Sequence, residues 1–229
     1  MTPARLLLAL AGLALIPLFE ATSADQPLSE AEQKLFLDAH LGNVQVPATL
    51  HYRYTKSGSL EPVLVQDEVS VALAGSALAK QAHVDYLTGP RALSLPDIQS
   101  ATANPVILFF LERDVREMQR LGGGQAAYYR KRVRLALAEA AQLRPITVQF
   151  EGRPIEAVEI SLRPYDQDPL QRRFSAYADK TYAFTLSPEI PGMVYEMRTT
   201  MFDRKAKAAG LEPVPALIEE VLTFSGTQR

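Results

Sequence analysis

Residues 119–134 read QRLGGGQAAYYRKRVR, and the fold turns on what the three glycines do. Gly122 to Ala127 (GGGQAA) satisfies a relaxed G-x-G-x-x-A pattern, the phosphate cradle of a dinucleotide-binding fold. That cradle works only where a strand runs into the glycines and a helix leaves them, so that helix-terminal amides meet the pyrophosphate. Here Ile107, Leu111, Val115, Met118 and Leu121 come first, at steps of four, four, three and three. Such steps trace one face of a helix. Glu112–Arg116 and Arg113–Glu117 are opposite-charge i,i+4 pairs, which places them on its other side. No Gly-Lys-Ser/Thr follows, so the Walker pattern is absent too. The glycines are expected to end one helix and join it to the next, with positive φ at one of them or more.

Beyond the joint, Tyr129, Val133, Ala136, Leu137 and Ala140 form the buried stripe of a second helix. Arg130, Lys131 and Arg134 share the opposite arc, with Arg132 flanking the stripe. Two readings stand. The arc is solvated surface, or it is an electropositive strip meeting an anionic lipid, a phosphate-bearing ligand or an acidic envelope partner.

Outside this helical centre the period is two. Leu50, Tyr52 and Tyr54 alternate with polar residues, Ser57-Gly58-Ser59 turns, and Val63, Val65, Val69, Val71 and Leu73 share one parity. Ala82, Val84 and Tyr86 continue it beside His83 and Asp85. After Pro145, Ile146, Val148 and Phe150 lead through Glu151-Gly152 into Val158, Ile160 and Leu162, a hairpin. Tyr182, Phe184 and Leu186 form a further strand, Ser187–Gly192 turns, and residues 194–200 return. Ile218, Leu222 and Phe224 close the chain, with Glu220 on their parity. A capping box at Ser29–Glu32 predicts a helix to about Leu41, and Asp168-Pro169 predicts a short one carrying Leu170, Phe174 and Tyr177. Asp203–Pro215 reads as a polar loop. The strands come in blocks, which predicts an α+β fold: a curved antiparallel sheet, a half-open barrel, wrapped around central helices.

The N-terminus carries an export address. Arg5, the apolar run Leu6–Phe19 and small residues at Ala21, Ser23 and Ala24 have the order of a signal peptide, predicting cleavage after Ala24. The run carries Pro17, ends at Glu20 and is shorter than the ~20 apolar residues of a bilayer span. Residues 25–229 then form one domain, and no integral membrane span is expected after cleavage. There is no cysteine, which excludes disulfides and thiol chemistry and fits a periplasmic destination. A net charge of −2 gives no global field for nucleic acid.

Histidines occur only at His40, His51 and His83, and there is no HExxH, so no metal and no cofactor is expected. No G-x-S-x-G elbow occurs, and Asp166 and Asp168 have the spacing of a turn and cap. No catalytic constellation results, and the expectation is a protein that is not an enzyme.

The stretches LHYRYTKSGSL…VSVAL, NPVILFFLERDVREMQRLGGGQAAYYRKRVRLALAEA, ITVQFEGRPIEAVEISLRPY and YADKTYAFTLS, behind a signal peptide, resemble an uncharacterised family of exported Gram-negative bacterial proteins. The element order is also similar to the half-open barrel of the periplasmic lipoprotein carriers, in which a curved sheet wraps helices and shelters acyl chains. That likeness implies an apolar or lipid-like ligand, such as an acyl chain. The same-parity aromatics Tyr52, Tyr54, Tyr86, Tyr182 and Phe184 are the candidate lining, or else they fill the core. Arg130, Lys131 and Arg134 are the candidate contacts of an envelope protein or anion.

Overall fold

The computed structural model describes residues 27–166, 168–170, 178–210 and 212–229. The expected signal over 1–24, and Phe174 and Tyr177 of the expected short helix, lie outside the described residues.

Eight strands form one antiparallel sheet: β1 (Ala48–Gly58), β2 (Glu61–Ser76), β3 (Ala79–Tyr86), β4 (Gln142–Phe150), β5 (Arg153–Leu162), β6 (Lys180–Leu186), β7 (Val194–Phe202) and β8 (Ala216–Gln228). Their order is β3-β2-β1-β8-β7-β6-β5-β4, so β3 and β4 are the two edges of a curved, unclosed sheet. The last strand completes it, pairing with β1 on one side and β7 on the other.

The register follows from the period-two pattern. Leu50 sits opposite Val71 and Tyr52 opposite Val69, while Val71 faces Val84 across β3. Inward residues therefore become cross-strand neighbours on one face, the unit that stabilises a sheet. The β4–β5 hairpin turns through Glu151 and Gly152, at φ 48° and 79°, with Phe150 opposite Arg153. Two consecutive positive φ values match the right-handed strand twist. Pro145 lies within β4 without cost to a ladder, because β4 is an edge.

Helix α1 (Glu30–Glu32) starts on both bonds of the expected capping box, Glu32 N to Ser29 Oγ at 3.1 Å and Ser29 N to Glu32 Oε2 at 2.9 Å. It continues as a π-helical turn over Gln33–Leu37 and stops earlier than the sequence predicts. A separate 3-10 turn spans His40–Asn43. The two central helices are α2 (Val106–Gly122) and α3 (Ala126–Glu139). Between them Gly123 and Gly124 adopt φ 70° and 81°, the Gly123 amide donates to Gln119 O at 2.9 Å, and Tyr129 Oη donates to Gly123 O at 2.8 Å. A helix, not a strand, enters the glycines, and the run is a joint. A Cβ added at Gly123 or Gly124 would meet nothing within 4 Å. Within the protein, Gly123 and Gly124 are required by backbone conformation and not by close packing.

Two expectations are corrected. The segment read as a loop from Asp203 contains α4 (Arg204–Ala208), because Asp203 Oδ1 accepts from Lys205 N (2.8 Å) and Ala206 N (3.2 Å) and caps it. The Arg113–Glu117 pair does not face solvent: α2 is covered more widely than one apolar stripe, and the Glu117 side chain is 4% exposed. The apolar face of α2 lies on the inner face of the sheet, where Phe109 stacks on Tyr86 (centroids 5.9 Å) and Phe110 meets Phe184 edge-on (6.1 Å).

Candidate binding site

All five aromatics singled out in the sequence point inward, and none is more than 2% exposed. They form two groups. Tyr52, Tyr54 and Tyr86 belong to β1 and β3, while Tyr182 and Phe184 belong to β6. Asn104, just ahead of α2, organises the first group by donating to Tyr52 Oη (2.8 Å) and Gly192 O (2.9 Å). Phe224 packs edge-on against Tyr52 at 5.6 Å. In the second group Tyr182 donates to Asp114 and lies 3.3 Å from the Tyr165 hydroxyl. Packed under α2, these rings are core in the present conformation. Tyr182 alone of the five borders a cavity described here.

That cavity is a half-open cleft of about 580 Å³ between α3 and the β5–β6 end of the sheet. Leu162 and Tyr182 lie at its base, Leu135 and Ala136 on the helix side, and Glu139, Arg163 and Asp166 among its polar residues. Its volume falls within the range of small-molecule sites. Arg132 lines it and is held in place, with Nε 2.9 Å from Asp168 Oδ2 and 3.2 Å from Pro164 O. Asp168 also accepts from Tyr128 and from Leu170 N (2.7 Å), so it caps a turn as its spacing predicts.

Beneath α2 are two buried ionic anchors that sequence reasoning missed. Asp114 accepts from Lys180 and Tyr182, and all three residues are about 1% exposed. Three residues on, Glu117 accepts from Lys56 Nζ at 3.1 Å and from Arg120 at 2.7 and 2.9 Å. Lys56 also lies 3.0 Å from Glu61 and 3.6 Å from Glu220. Burial pushes the Glu117 carboxyl up, but the Arg120 hydrogen bonds and the charges of Lys56 and Arg113 outweigh it and hold the pKa at about 2. Burial likewise opposes the Lys56 charge, yet Glu220 and Glu117 leave its pKa raised. A signal existed: Lys56, Lys180 and Glu220 occupy inward parity positions on their strands, and Glu220 shares the parity of Leu222.

On α3, Arg130, Lys131 and Arg134 all face solvent, and Ala140, expected in the buried stripe, is exposed because the helix ends at Glu139. Arg130 spans the joint to Glu112, with contacts of 2.8 and 2.6 Å. Lys131 and Arg134 carry no ion pair among the described residues, while Arg130 is tied to Glu112. Of the histidines, His40 is buried, with Nε2 donating to Lys34 O (2.6 Å) and Nδ1 accepting from Asn104 N (3.1 Å). His83 lies on the surface between Asp97 (2.7 Å) and Asp85 (3.3 Å). Among the described residues no three His, Cys, Asp or Glu side chains are grouped to hold a metal ion, and no helix is long and apolar enough to cross a membrane.

No protein-family model and no curated protein matches the chain. Among solved structures, the Mycobacterium tuberculosis lipoprotein LppX is 11% identical over 77% of this chain and 84% of its own, with a TM-score of 0.32. The Pseudomonas aeruginosa MucA/MucB complex matches at 15% identity over 87% of this chain and 57% of its own, with a TM-score of 0.30. A putative outer membrane lipoprotein-sorting protein domain from Vibrio parahaemolyticus is 8% identical over 79% and 84%, with a TM-score of 0.23. These scores mark a loose likeness of outline.

Proposed function

We propose that residues 25–229 are one exported, non-enzymatic α+β domain that binds an apolar or lipid-like ligand in the periplasm. The observation that carries this reading is the cleft of about 580 Å³, whose base is Leu162 and Tyr182 at the margin of an unclosed apolar sheet face. An apolar base beneath polar groups suits an amphiphile: the chain lies against Leu162 and Tyr182, and the polar end meets the polar residues of the wall. Tyr52, Tyr54, Tyr86 and Phe184 lie deeper and meet a ligand only if the helices over them shift. Cleavage after Ala24 delivers the chain to the periplasm, where a protein without cysteine folds without disulfide chemistry.

The test begins with the exported protein. N-terminal sequencing should start at Asp25, and solvent extraction followed by mass spectrometry should release a co-purifying lipid. A fluorescent fatty acid should bind the delipidated protein, and Ala140→Trp, which fills the cleft from an exposed wall position, should weaken that binding at least about tenfold. A clean extract with no fatty-acid uptake sinks the binding reading. Equal uptake by Ala140→Trp places the ligand elsewhere.

A further inference from the structure

A second cavity, of about 390 Å³, opens on the opposite half of the sheet, between α2, the β1–β2 end and the 3-10 turn Gly89–Arg91. Its wall holds five cations, Lys56, Arg91, Arg113, Arg116 and Arg120, against two carboxylates, Glu61 and Glu117. Three of the arginines stand on α2 at steps of three and four, so they form one ridge along the cavity. Arg91 faces that ridge from across the opening. The remaining carboxylates of the neighbourhood lie outside the wall. Asp67 holds Arg91 at 3.1 Å, Glu112 is shared by Arg116 (3.6 Å) and Arg130 (2.6 Å), and Glu220 lies 3.6 Å from Lys56. Glu117 serves Lys56, Arg113 and Arg120 together, and its low pKa reports the positive surroundings. Arg91 Nε is buried with no acceptor among the described residues. Val65, Pro90, Ala92 and Leu93 complete the wall and make its other side apolar.

Guanidinium groups gathered around a small cavity with one apolar side are suited to a tetrahedral oxyanion carried on an apolar body. The planar fork donates two parallel N–H bonds to phosphate oxygens, which an ammonium cannot do. We propose that this cavity is a binding site for a terminal, dianionic phosphate, free or as a monoester, gripped by Arg91, Arg113, Arg116 and Arg120. It is separate from the cleft under α3, and it stands whether or not that cleft takes an acyl chain.

The experiment is isothermal titration calorimetry at low salt with three soluble probes: inorganic phosphate, dihexanoyl phosphatidic acid and dihexanoyl phosphatidylcholine. The exported protein should bind at least one of the two anionic probes about tenfold or more tighter than the zwitterionic one, as expected for a gain of one or two charge-assisted hydrogen bonds. Phosphate and phosphatidic acid binding alike identifies a free-phosphate site. A clear preference for phosphatidic acid identifies a lipid headgroup site. Arg116→Gln with Arg120→Gln, both more than half exposed, should erase the preference at a temperature where the variant is still fully folded, its melt lowered modestly by the loss of the Arg120 bonds to Glu117. Arg134→Gln, on the outward arc of α3, should bind as the wild type does.

The proposal is overturned if no anionic probe is preferred, if the double variant keeps the preference, or if Arg134→Gln weakens binding equally. Fatty-acid uptake without anion preference leaves the apolar reading standing and removes this one. Phosphate binding without fatty-acid uptake does the reverse.

Discussion

Glu117 should make the fold acid-sensitive in a defined window. Its carboxylate is 4% exposed, accepts from Lys56 and Arg120, and has Arg113 at 3.5 Å. With a folded pKa of about 2 against an ordinary 4.5, it contributes stability that is fully present above about pH 4.5. That contribution is lost as pH falls through about 2, because the unfolded chain takes up the proton first. The gap corresponds to roughly 3 kcal/mol at neutral pH, an order-of-magnitude figure. Glu117→Gln should cost about 3–5 kcal/mol at pH 7, since Lys56 and Arg113 remain buried with less charge to face. The assay is urea unfolding of both proteins from pH 7 to pH 2.5. The stability difference between wild type and variant should hold steady down to pH 5 and then shrink. His40 titrates elsewhere: burial lowers its pKa, so charging it costs stability from pH 6.5 downward, in both proteins alike. A difference that stays flat to pH 2.5 would refute the claim that Glu117 is held ionised by these partners.

Three further outcomes follow from the same geometry. Gly123→Ala should cost about 1–3 kcal/mol in a thermal melt, because φ 70° with ψ −169° is open essentially to glycine alone, while Gly122→Ala, still inside α2, should be neutral or stabilising by up to about 1 kcal/mol. Equal effects at the two positions would count against the joint. Asp114→Ala should lower stability by about 3–5 kcal/mol by stranding Lys180, and adding Lys180→Met should recover much of it, read as urea midpoints at constant m-value. Lys131→Glu with Arg134→Glu should leave the melting temperature within a degree or two, as surface changes do; a large drop would mean that the arc is packed.

The sheet was readable because its faces differ. The alternation at Leu50, Tyr52 and Tyr54, at Val69 and Val71, and at Ala82, Val84 and Tyr86 puts every one of these side chains inward, as period two requires. The joint was readable because glycines after a helical stripe have few other uses. Partnership was not readable. Lys56 meets Glu117 across 61 residues and Lys180 meets Asp114 across 66. A charge at an inward position looks like an exception until its partner is placed beside it. The partner of Arg130 was hidden for a similar reason, since Glu112 approaches only after the chain reverses at the glycines. The helix α4 was hidden by length: five residues give no period, and its one signal was Asp203 in the capping position.

The two anchors also bear on which helix can move off the inner face. Asp114 and Glu117 lie on the same side of α2 yet reach opposite halves of the sheet, Lys180 on β6 and Lys56 on β1. The helix thus braces an open sheet across β8 and β7, which alone connect those halves among the described strands. Lifting α2 would strand two buried carboxylates and two buried lysines, a penalty of several kcal/mol that apolar contacts with a ligand do not offset. Helix α3 buries fewer side chains, and its ties at Arg130 and Arg132 end on partly exposed guanidinium groups that water can solvate. Its movement is the cheaper one. α2 therefore stays fixed over the inner face, and α3 is the helix that can move off it.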